Sequence, residues 1–381
     1  MIISEHDRKW AEETVDRVLK KLAVTSRRIG ATAPHIAIDG KYDDKFPEER
    51  IWSGGIFWWT NGFWPGMLWH LYHVTKDVYY KETAEAIEDI MDEAFLDFDG
   101  LHHDVGFMWL TSAAANYRIT GSDRARKRGL LAATLLAGRY NPDGGFIRAW
   151  NEDKAGWAII DCMMNINLLY WASEHTGDGR FKSIAIRHAD KTREHFVRPD
   201  GSVKHVVSFD PKTGYELEDF GGQGYALGSS WSRGQAWALY GFVLSYIHTG
   251  EARFLDTAKR VAHYFISNIS GDWIPVCDFR APSEPVIWDT SAGAIAACGL
   301  LEIAKSVPEF EAELYLNAGI SMLRAMTEKC GDLSLDNEQL LHHGASAYHD
   351  SEKRNVSLIY GDYYYLEALL KLDEKNAVLL W

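Results

Sequence analysis

The 381-residue sequence predicts an all-α fold, an (α/α)6 toroid of six inner and six outer helices that spans residues 1–381 as a single domain. Two observations support this prediction. First, an apolar helix, a short turn and an amphipathic helix recur in that order along the chain, as in proteins built from stacked helix pairs. Second, the helices before the turns are apolar nearly all round, whereas those after the turns are apolar on one face only. The first kind is typical of an inner layer and the second of an outer layer.

The turns between paired helices have a recurring sequence. A Thr-Gly pair or a similar pair ends the inner helix, and Gly is favoured there because it adopts the left-handed conformation at low cost. Beyond the turn, apolar residues at i, i+3 and i+4 and charges on the opposite side predict an outer helix. Four copies lie at residues 73–87, 118–133, 174–189 and 247–262, with a looser fifth copy at 306–320.

The same pattern places the individual helices. Inner helices are predicted at residues 62–74, 104–119, 161–175, 232–248, 290–305 and 360–372, and an N-terminal amphipathic helix at about 5–24 is the sixth outer helix. Short strands are predicted only near 144–150 and 201–210. Because every inner helix of such a ring runs in the same direction, their N-termini lie at one mouth. Polar and aromatic residues precede these N-termini, so the functional site is predicted there.

Composition excludes several classes of function. The net charge of −14 repels nucleic acid and anionic membranes, so neither is expected as a partner. Fifteen Trp, eighteen Tyr and sixteen Phe exceed what packing needs and are typical of a groove for ring-shaped ligands such as sugars. Four distant cysteines indicate reduced thiols. Because neither a signal peptide nor an apolar run of membrane-spanning length is visible, we expect a cytoplasmic protein.

Four aspartates stand at or near the starts of inner helices. A carboxylate is stabilised at a helix N-terminus, and capping is the predicted role of Asp289 and Asp362. Asp161 lies in the apolar stretch "AIIDCMM", which should raise its pKa, whereas Asp104 lies beside two histidines in a polar stretch. Two carboxyl groups whose pKa values are pushed apart are typical of an acid and its charged partner. We therefore predict that Asp104 and Asp161 are catalytic.

Arg233 stands in the first turn of an inner helix, where the helix dipole opposes a cation. An anion is therefore expected beside it, either a ligand carboxylate or a carboxylate of the protein. Five other residues are predicted to contact a ligand held there: Gln223, Gln235 and His205 as hydrogen-bond partners, and Trp59 or Trp237 as a stacking face.

Metal and cofactor sites are not expected. The adjacent His102 and His103 should point in different directions and bind no common ion, and no carboxylates at helical spacing accompany them. His70 and His73 lie in the core-like stretch "GMLWHLYHV" and are interpreted as packing residues. The stretch "GGQGYALG" lacks the GxGxxG spacing of a dinucleotide site.

Six motifs resemble those of the unsaturated glucuronyl hydrolases, glycoside hydrolases that remove the 4,5-unsaturated uronic acid left on oligosaccharides by polysaccharide lyases. The motifs are "WTNGFWPGMLW", "HHDVGF", "IIDCMMN", "WSRGQAWALYGF", "ACGLLEIA" and "GDYYYLEALL". The resemblance implies an (α/α)6 barrel without a cofactor. It also implies a catalytic aspartate pair at Asp104 and Asp161, and substrate-binding positions at His205, Gln223, Arg233, Trp237 and Trp59. Asn61 departs from the pattern, since relatives are expected to have an aspartate there.

The mechanism implied by the resemblance is hydration of the C4=C5 vinyl ether, with Asp161 as general acid and base and Asp104 as the charged orienting partner. The sequence also allows three other functions: an unsaturated rhamnogalacturonyl hydrolase on the same barrel, a sugar epimerase, and a noncatalytic sugar-binding toroid. An epimerase would need paired basic residues in place of two carboxylates. The sequence does not identify the glycan. Segment 342–355 could contact a sulfate or neighbouring sugar through Ser346, Ser351, Lys353 or Arg354, or could be a solvated basic loop.

Overall fold

The computed structural model describes residues 3–49, 54–269, 271–373, 376, 378 and 380–381. The outer helices are α1 (Glu5–Ile29), α3 (Val78–Met91), α6 (Asp123–Gly138), α9 (Gly179–His195), α11 (Ala252–Asn268) and α13 (Glu309–Lys329). The inner layer consists of α2 (Phe63–Thr75), α4 (Val105–Trp109) continued through a π turn into α5 (Ala115–Thr120), α7 (Cys162–Asn165) with α8 (Asn167–Thr176), α10 (Ser232–Thr249), α12 (Thr290–Ser306) and α14 (Ile359–Leu372). These positions match the predicted helices closely.

The inner helices form a closed ring. Helix α2 packs against α5, α4 against α7, α7 and α8 against α10, α10 against α12, α12 against α14, and α14 back against α2. Each outer helix lies on the outside of an inner one, for example α11 on α10 and α13 on α12. The predicted (α/α)6 architecture is therefore confirmed. Among the described residues, no helix combines the length and apolar character that crossing a bilayer requires.

The turns end the inner helices as the sequence predicts. Gly121, Gly177 and Gly250 have φ of 73°, 71° and 72° and close α5, α8 and α10 in the left-handed conformation. In the first copy, Lys76 takes the same conformation with φ of 61°. The fifth copy differs, because Val307 after α12 is extended.

Short antiparallel strands fill the connections before the inner helices. The sheets are β2 (Lys41–Tyr42), β1 (Ile36–Ile38), β9 (Arg354–Leu358) and β8 (Gly344–Ala345) in that order; β3 (Tyr140–Asn141) with β4 (Phe146–Ile147); and β5 (Trp157–Ile159), β6 (Val206–Phe209) and β7 (Glu216–Phe220). The strands predicted near 144–150 and 201–210 are confirmed. Strand β5 leads directly to Asp161, and the Ile160 amide donates to the His205 carbonyl (3.0 Å), which holds the two site residues together.

The end of the ring opposite the mouth contains a buried ionic group. Lys371 Nζ lies 2.6 Å from Glu302 Oε1 and 3.3 Å from Glu367 Oε1. The indole of Trp381 donates to Glu367 Oε2 (2.7 Å) and stacks on Tyr364, with ring centroids 5.6 Å apart. The four cysteines are buried and free, as the sequence predicts.

Candidate active site

Two aspartates at the mouth do not cap their helices. Asp104 precedes α4 and Asp161 precedes α7, yet neither side chain accepts a hydrogen bond from its own helix start. Asp289 accepts from the Ser291 amide (3.1 Å) and caps α12, as predicted. The carboxyl groups of Asp104 and Asp161 are therefore free of the structural role that explains Asp289.

The capping prediction for Asp362 is wrong. Its carboxylate lies inside the first turn of α14 and accepts hydrogen bonds from the amides of Leu340 (2.7 Å) and Leu341 (2.9 Å) and from the Tyr42 hydroxyl (2.6 Å). Asp362 therefore anchors other segments rather than its own helix. These partners are distant from Asp362 in sequence, so the residues around Asp362 do not predict them.

Asn165 connects the two catalytic candidates. Its Nδ2 donates to Asp104 Oδ1 (3.2 Å) and to the Asp161 carbonyl (3.2 Å), and its Oδ1 accepts from the Phe107 amide (2.7 Å). A Cβ on Gly106 would lie 2.3 Å from the Asn165 Cα, so only glycine permits this approach of α4 and α7. Asn165 is not among the predicted site residues, although it stands in the same motif as Asp161 and one helical turn after it.

The protonation states of the two carboxyl groups follow from their surroundings. Burial, with the charge of Asp104 as the next cause, raises the pKa of Asp161 to about 8, and the Arg233 cation opposes this only in part. Burial also raises the pKa of Asp104, against the opposing effects of His102 and the Asn165 hydrogen bond. Asp161 therefore holds its proton at neutral pH, in the direction that its apolar sequence predicts. Its side chain is still 14% exposed, so a ligand can reach it.

His205 faces Asp161 without touching it. Its Nδ1 accepts a hydrogen bond from the Gln223 amide (2.9 Å), so the neutral ring has its proton on Nε2. Burial lowers the pKa of His205 to about 3, which keeps the ring neutral. The Nε2 atom lies 3.8 Å from Asp161 Oδ1, and both atoms are buried without a hydrogen-bond partner among the described residues. Buried polar atoms are normally paired, so these two mark a place for a ligand atom.

His102 and His103 both face Asp104. Their rings stack with centroids 5.1 Å apart, His103 Nε2 lies 3.2 Å from Asp104 Oδ1, and His102 Nδ1 lies 3.4 Å from Oδ2. The expectation that these histidines point in different directions is wrong, because residues 103–104 form a turn before α4. In the described part of the chain, these three residues are the group whose ligand atoms are close enough for an ion, within 4.8 Å.

Hydrogen bonds within the protein already use part of that group. The Asp104 amide donates to His102 Nδ1 (3.4 Å), and His103 Nδ1 is bonded to the Ala149 carbonyl (2.8 Å). We therefore assign no metal to it. His70, one of the two histidines interpreted as packing residues, is buried against Tyr363 at 5.7 Å between ring centroids.

Arg233 obtains its anion from the protein. Its Nη1 donates to Asp289 Oδ2 (2.8 Å) and the Ala345 carbonyl (2.6 Å), and its Nη2 donates to the Ser346 carbonyl (2.6 Å). The guanidinium also lies over the Trp231 ring, 4.5 Å from its centroid. Of the two anions that the sequence allowed, the structure shows the protein carboxylate, which comes from the start of α12.

The two glutamines have different surroundings. Gln223 is half-buried, and its side chain donates to the Ser346 carbonyl (2.7 Å). Gln235 is fully buried; its Oε1 accepts from the Val203 amide (2.9 Å) and its Nε2 donates to the Gly201 carbonyl (2.7 Å). These contacts give Gln235 a role in holding the loop before β6.

The two tryptophans also differ. Trp237 is fully buried between Phe107 and Tyr364, with ring centroids 5.0 and 5.5 Å away. Trp59 is half-buried and rests on Tyr360 at 4.8 Å between centroids. Of the two predicted stacking faces, Trp59 is the one with surface open to a ligand.

Asn61, the departure from the expected motif, is buried beside Trp59. Its Nδ2 donates to the Gly55 carbonyl (3.0 Å), while its Oδ1 has no hydrogen-bond partner among the described residues. The amide therefore helps to hold the short helical turn that precedes α2.

Comparison with known proteins identifies the family. The family model described as Glycosyl Hydrolase Family 88 matches residues 26–366. An unsaturated glucuronyl hydrolase of Bacillus sp. strain GL1 is 38% identical over 361 residues, covering 91% of this chain and 94% of the relative. An unsaturated chondroitin disaccharide hydrolase of Streptococcus pyogenes serotype M1 is 38% identical over 322 residues, covering 82% of this chain and 80% of the relative.

A solved structure agrees with these matches. It is an Asp-to-Asn mutant of the unsaturated glucuronyl hydrolase from Streptococcus agalactiae, complexed with dGlcA-GalNAc6S. Its TM-score to this chain is 0.84 at 33% identity, covering 98% of this chain and 94% of the other. These matches support the glucuronyl hydrolase interpretation over the rhamnogalacturonyl hydrolase and the epimerase. The chain belongs to glycosyl hydrolase family 88, as its motifs predict.

Proposed function

We propose that the protein releases the terminal 4,5-unsaturated uronic acid from lyase-generated oligosaccharides by hydrating the C4=C5 vinyl ether. One observation supports this most strongly. Asp161 Oδ1 faces His205 Nε2 at 3.8 Å, neither atom has a hydrogen-bond partner among the described residues, and burial raises the pKa of Asp161 to about 8. A positioned acid beside an unoccupied donor suits protonation of an enol ether.

The reaction uses Asp161 twice. Its proton is transferred to carbon 4, and positive charge develops at carbon 5 and the ring oxygen. The resulting carboxylate then removes a proton from water, whose oxygen adds at carbon 5, so Asp161 returns to its acid form. The hemiketal opens and the remaining saccharide leaves. Because the anomeric carbon is not attacked, the spacing of the two carboxyl groups does not predict the stereochemistry.

The neighbouring residues have supporting roles in this proposal. Asp104 stabilises the positive charge, Trp59 offers its open face to the sugar ring, and His205 donates from Nε2 to a ring substituent. Arg233 and Gln223 share the Ser346 carbonyl as acceptor, and so hold the chain at 345–346 as one wall of the site.

Two residues predicted to contact the substrate, Gln235 and Trp237, have a different role in this proposal. Gln235 and Trp237 are buried among protein groups, so we propose that they hold the site in shape without meeting the sugar.

We propose that the substrates include unsaturated disaccharides from glycosaminoglycans. The S. pyogenes relative is named for chondroitin disaccharides, and the S. agalactiae structure holds dGlcA-GalNAc6S. In this chain, segment 342–355 forms the β8–β9 hairpin beside Arg233, and the side chain of Lys353 is 51% exposed. A sulfated sugar next to the unsaturated ring would lie toward such a cation.

The test uses the ultraviolet absorbance of the unsaturated ring, which disappears on hydration. Wild-type protein should remove this absorbance from a lyase-generated chondroitin disaccharide, and Asp161→Asn should not. Asp178→Asn is the matched control, because Asp178 caps α9 and asparagine also caps helices. A wild-type protein without turnover on any unsaturated uronide, or full turnover by Asp161→Asn, would overturn the proposal.

A further inference from the structure

His103 is held in one orientation and one tautomer. Its side chain is 2% exposed, and its Nδ1 lies 2.8 Å from the Ala149 carbonyl, which also accepts from the His103 amide (3.2 Å) and from Arg139 Nη2 (3.1 Å). A carbonyl only accepts hydrogen bonds, so Nδ1 carries a proton. When the ring is neutral, Nε2 therefore has a lone pair.

That lone pair points at a second acceptor. His103 Nε2 lies 3.2 Å from Asp104 Oδ1 and has no other hydrogen-bond partner among the described residues. Asp104 Oδ1 accepts from Asn165 Nδ2 at 3.2 Å, which fixes the carboxyl in place. A neutral imidazole facing an ionised carboxylate would put two lone pairs together in a buried site, which is unfavourable. A proton between the two atoms removes this conflict.

We propose that His103 is a positioning residue that shares one proton with Asp104 across the Nε2–Oδ1 contact. The inference rests on the proposed function and extends it. In the resting enzyme the proton is on Oδ1 and hydrogen-bonded to Nε2, so the pair has no net charge. As carbon 5 gains positive charge, the O–H bond breaks and an N–H bond forms at Nε2, which leaves Asp104 as a carboxylate. When water adds and the charge at carbon 5 is lost, the proton returns to Oδ1.

The surroundings favour this resting state. Burial lowers the pKa of His103 to about 3; the hydrogen bond to Ala149 opposes this lowering, and the charge of Arg139 adds to it. Burial raises the pKa of Asp104. Both directions disfavour separated charges on the pair. The other titratable or charged groups that face the pair are His102, Arg139, Asp161, Cys162, His188 and His205.

The proposal predicts a specific effect on the pH profile. Adding a second proton to the pair prevents Asp104 from becoming a carboxylate, so the acid limb of kcat belongs to the His103–Asp104 pair. The alkaline limb belongs to Asp161. In His103→Gln a side-chain amide replaces the imidazole, and an amide cannot accept the proton of Asp104. The kcat should therefore fall about 100-fold, the lower part of the range for positioned proton transfer. Its acid limb should move further than its alkaline limb, which belongs to Asp161. His195→Gln, on the outer helix α9, is the control and should match wild type.

A second measurement does not depend on turnover, and its wild-type part does not depend on the folding of any variant. In protein labelled with ¹⁵N at its 15 histidines, His103 Nε2 of the wild type at pH 7 should resonate on the unprotonated side but displaced toward the protonated position, because it accepts the O–H of Asp104. In Asp104→Asn it should move to the unprotonated position, because an amide shares no proton. An Nε2 signal at the unprotonated position in both proteins would overturn the shared proton. Failure of the proposed function would appear separately, as absence of turnover by wild type.

Discussion

Two buried carboxyl groups at opposite ends of the ring, Glu302 and Asp161, have opposite pKa shifts. At the end opposite the mouth, burial raises the pKa of Glu302, but the charges of Lys371 and Lys305 outweigh it and the net pKa is lowered. At the mouth, the neutral His205 is the one group within ion-pair distance of the Asp161 side chain among the described residues, and the pKa of Asp161 rises to about 8. Burial alone therefore does not set the protonation state. Lys371 on α14 contacts Glu302 directly and keeps it ionised, whereas Arg233 at the mouth is paired with Asp289 and only partly offsets the burial of Asp161.

This difference also separates stability from function. A buried ion pair with good geometry keeps its members charged, and loss of one partner leaves the other uncompensated. An acid that keeps its proton through burial instead reduces stability as it ionises, and such groups are typical of active sites. Substitution of Glu302 should change stability, and substitution of Asp161 should change turnover.

Asp161→Asn is expected to have the largest effect. Removing the acid should lower kcat by about 10²–10⁴-fold. The folded pKa of Asp161 lies above its unfolded value, so its contribution to stability is fully present below pH ~3.8 and is lost as pH rises through about 8. The variant should therefore gain Tm relative to wild type at pH 9 but not at pH 4. Thermal scans at both pH values, with turnover assays, measure this; a Tm difference that does not grow with pH would contradict it.

Glu302→Gln should have the next largest effect, at the opposite end. Removing this charge leaves Lys371 with Glu367 alone, so the free energy of unfolding should fall by about 3 kcal/mol, the lower part of the range for a broken buried pair. The folded fraction should keep wild-type kcat. Urea unfolding measures the loss, with the exposed Glu309→Gln as control. Unchanged stability would remove the distinction between the two ends.

Asn165→Ala should produce an intermediate effect on both quantities. The variant leaves the Phe107 amide and the Asp104 carboxyl without this partner, so unfolding free energy should fall by about 1–3 kcal/mol. Because Asp104 is then less well positioned, kcat should fall by up to about 100-fold. Urea unfolding and steady-state kinetics on the same preparation separate the two changes. Loss of stability with wild-type kcat would show that Asn165 only joins α4 to α7.

Lys353→Ala should have the smallest effect. The lysine is half exposed and paired with Asp350 at 3.2 Å, so stability should change by less than ~1 kcal/mol. If segment 342–355 meets a sulfate, kcat/KM should fall several-fold on a 6-sulfated disaccharide and stay unchanged on the unsulfated one. A panel of the two substrates measures this ratio. Equal effects on both would assign the segment to a solvated loop.

The sequence predicts the elements that depend on local pattern. The Thr-Gly turns, the all-round apolar inner helices and the contrast between Asp104 and Asp161 are each contained within a few neighbouring residues. The partners of Arg233 and Asp362 cannot be predicted from neighbouring residues. Asp289 and Leu340 are distant in sequence and come into contact with them only when the ring closes. The stacking of His102 on His103 is not predicted by local pattern, because the turn before α4 sets the direction of both rings.

The central claim is that Asp161 is an un-ionised acid at neutral pH. It can be tested by infrared difference spectra between wild type and Asp161→Asn, recorded from pH 6 to pH 10 with ¹³C-labelled aspartate. The account predicts a protonated-carboxyl C=O band at pH 7 that disappears with a midpoint near 8, parallel to the alkaline fall in kcat. Absence of that band at pH 6, in a protein that turns over normally, would contradict it.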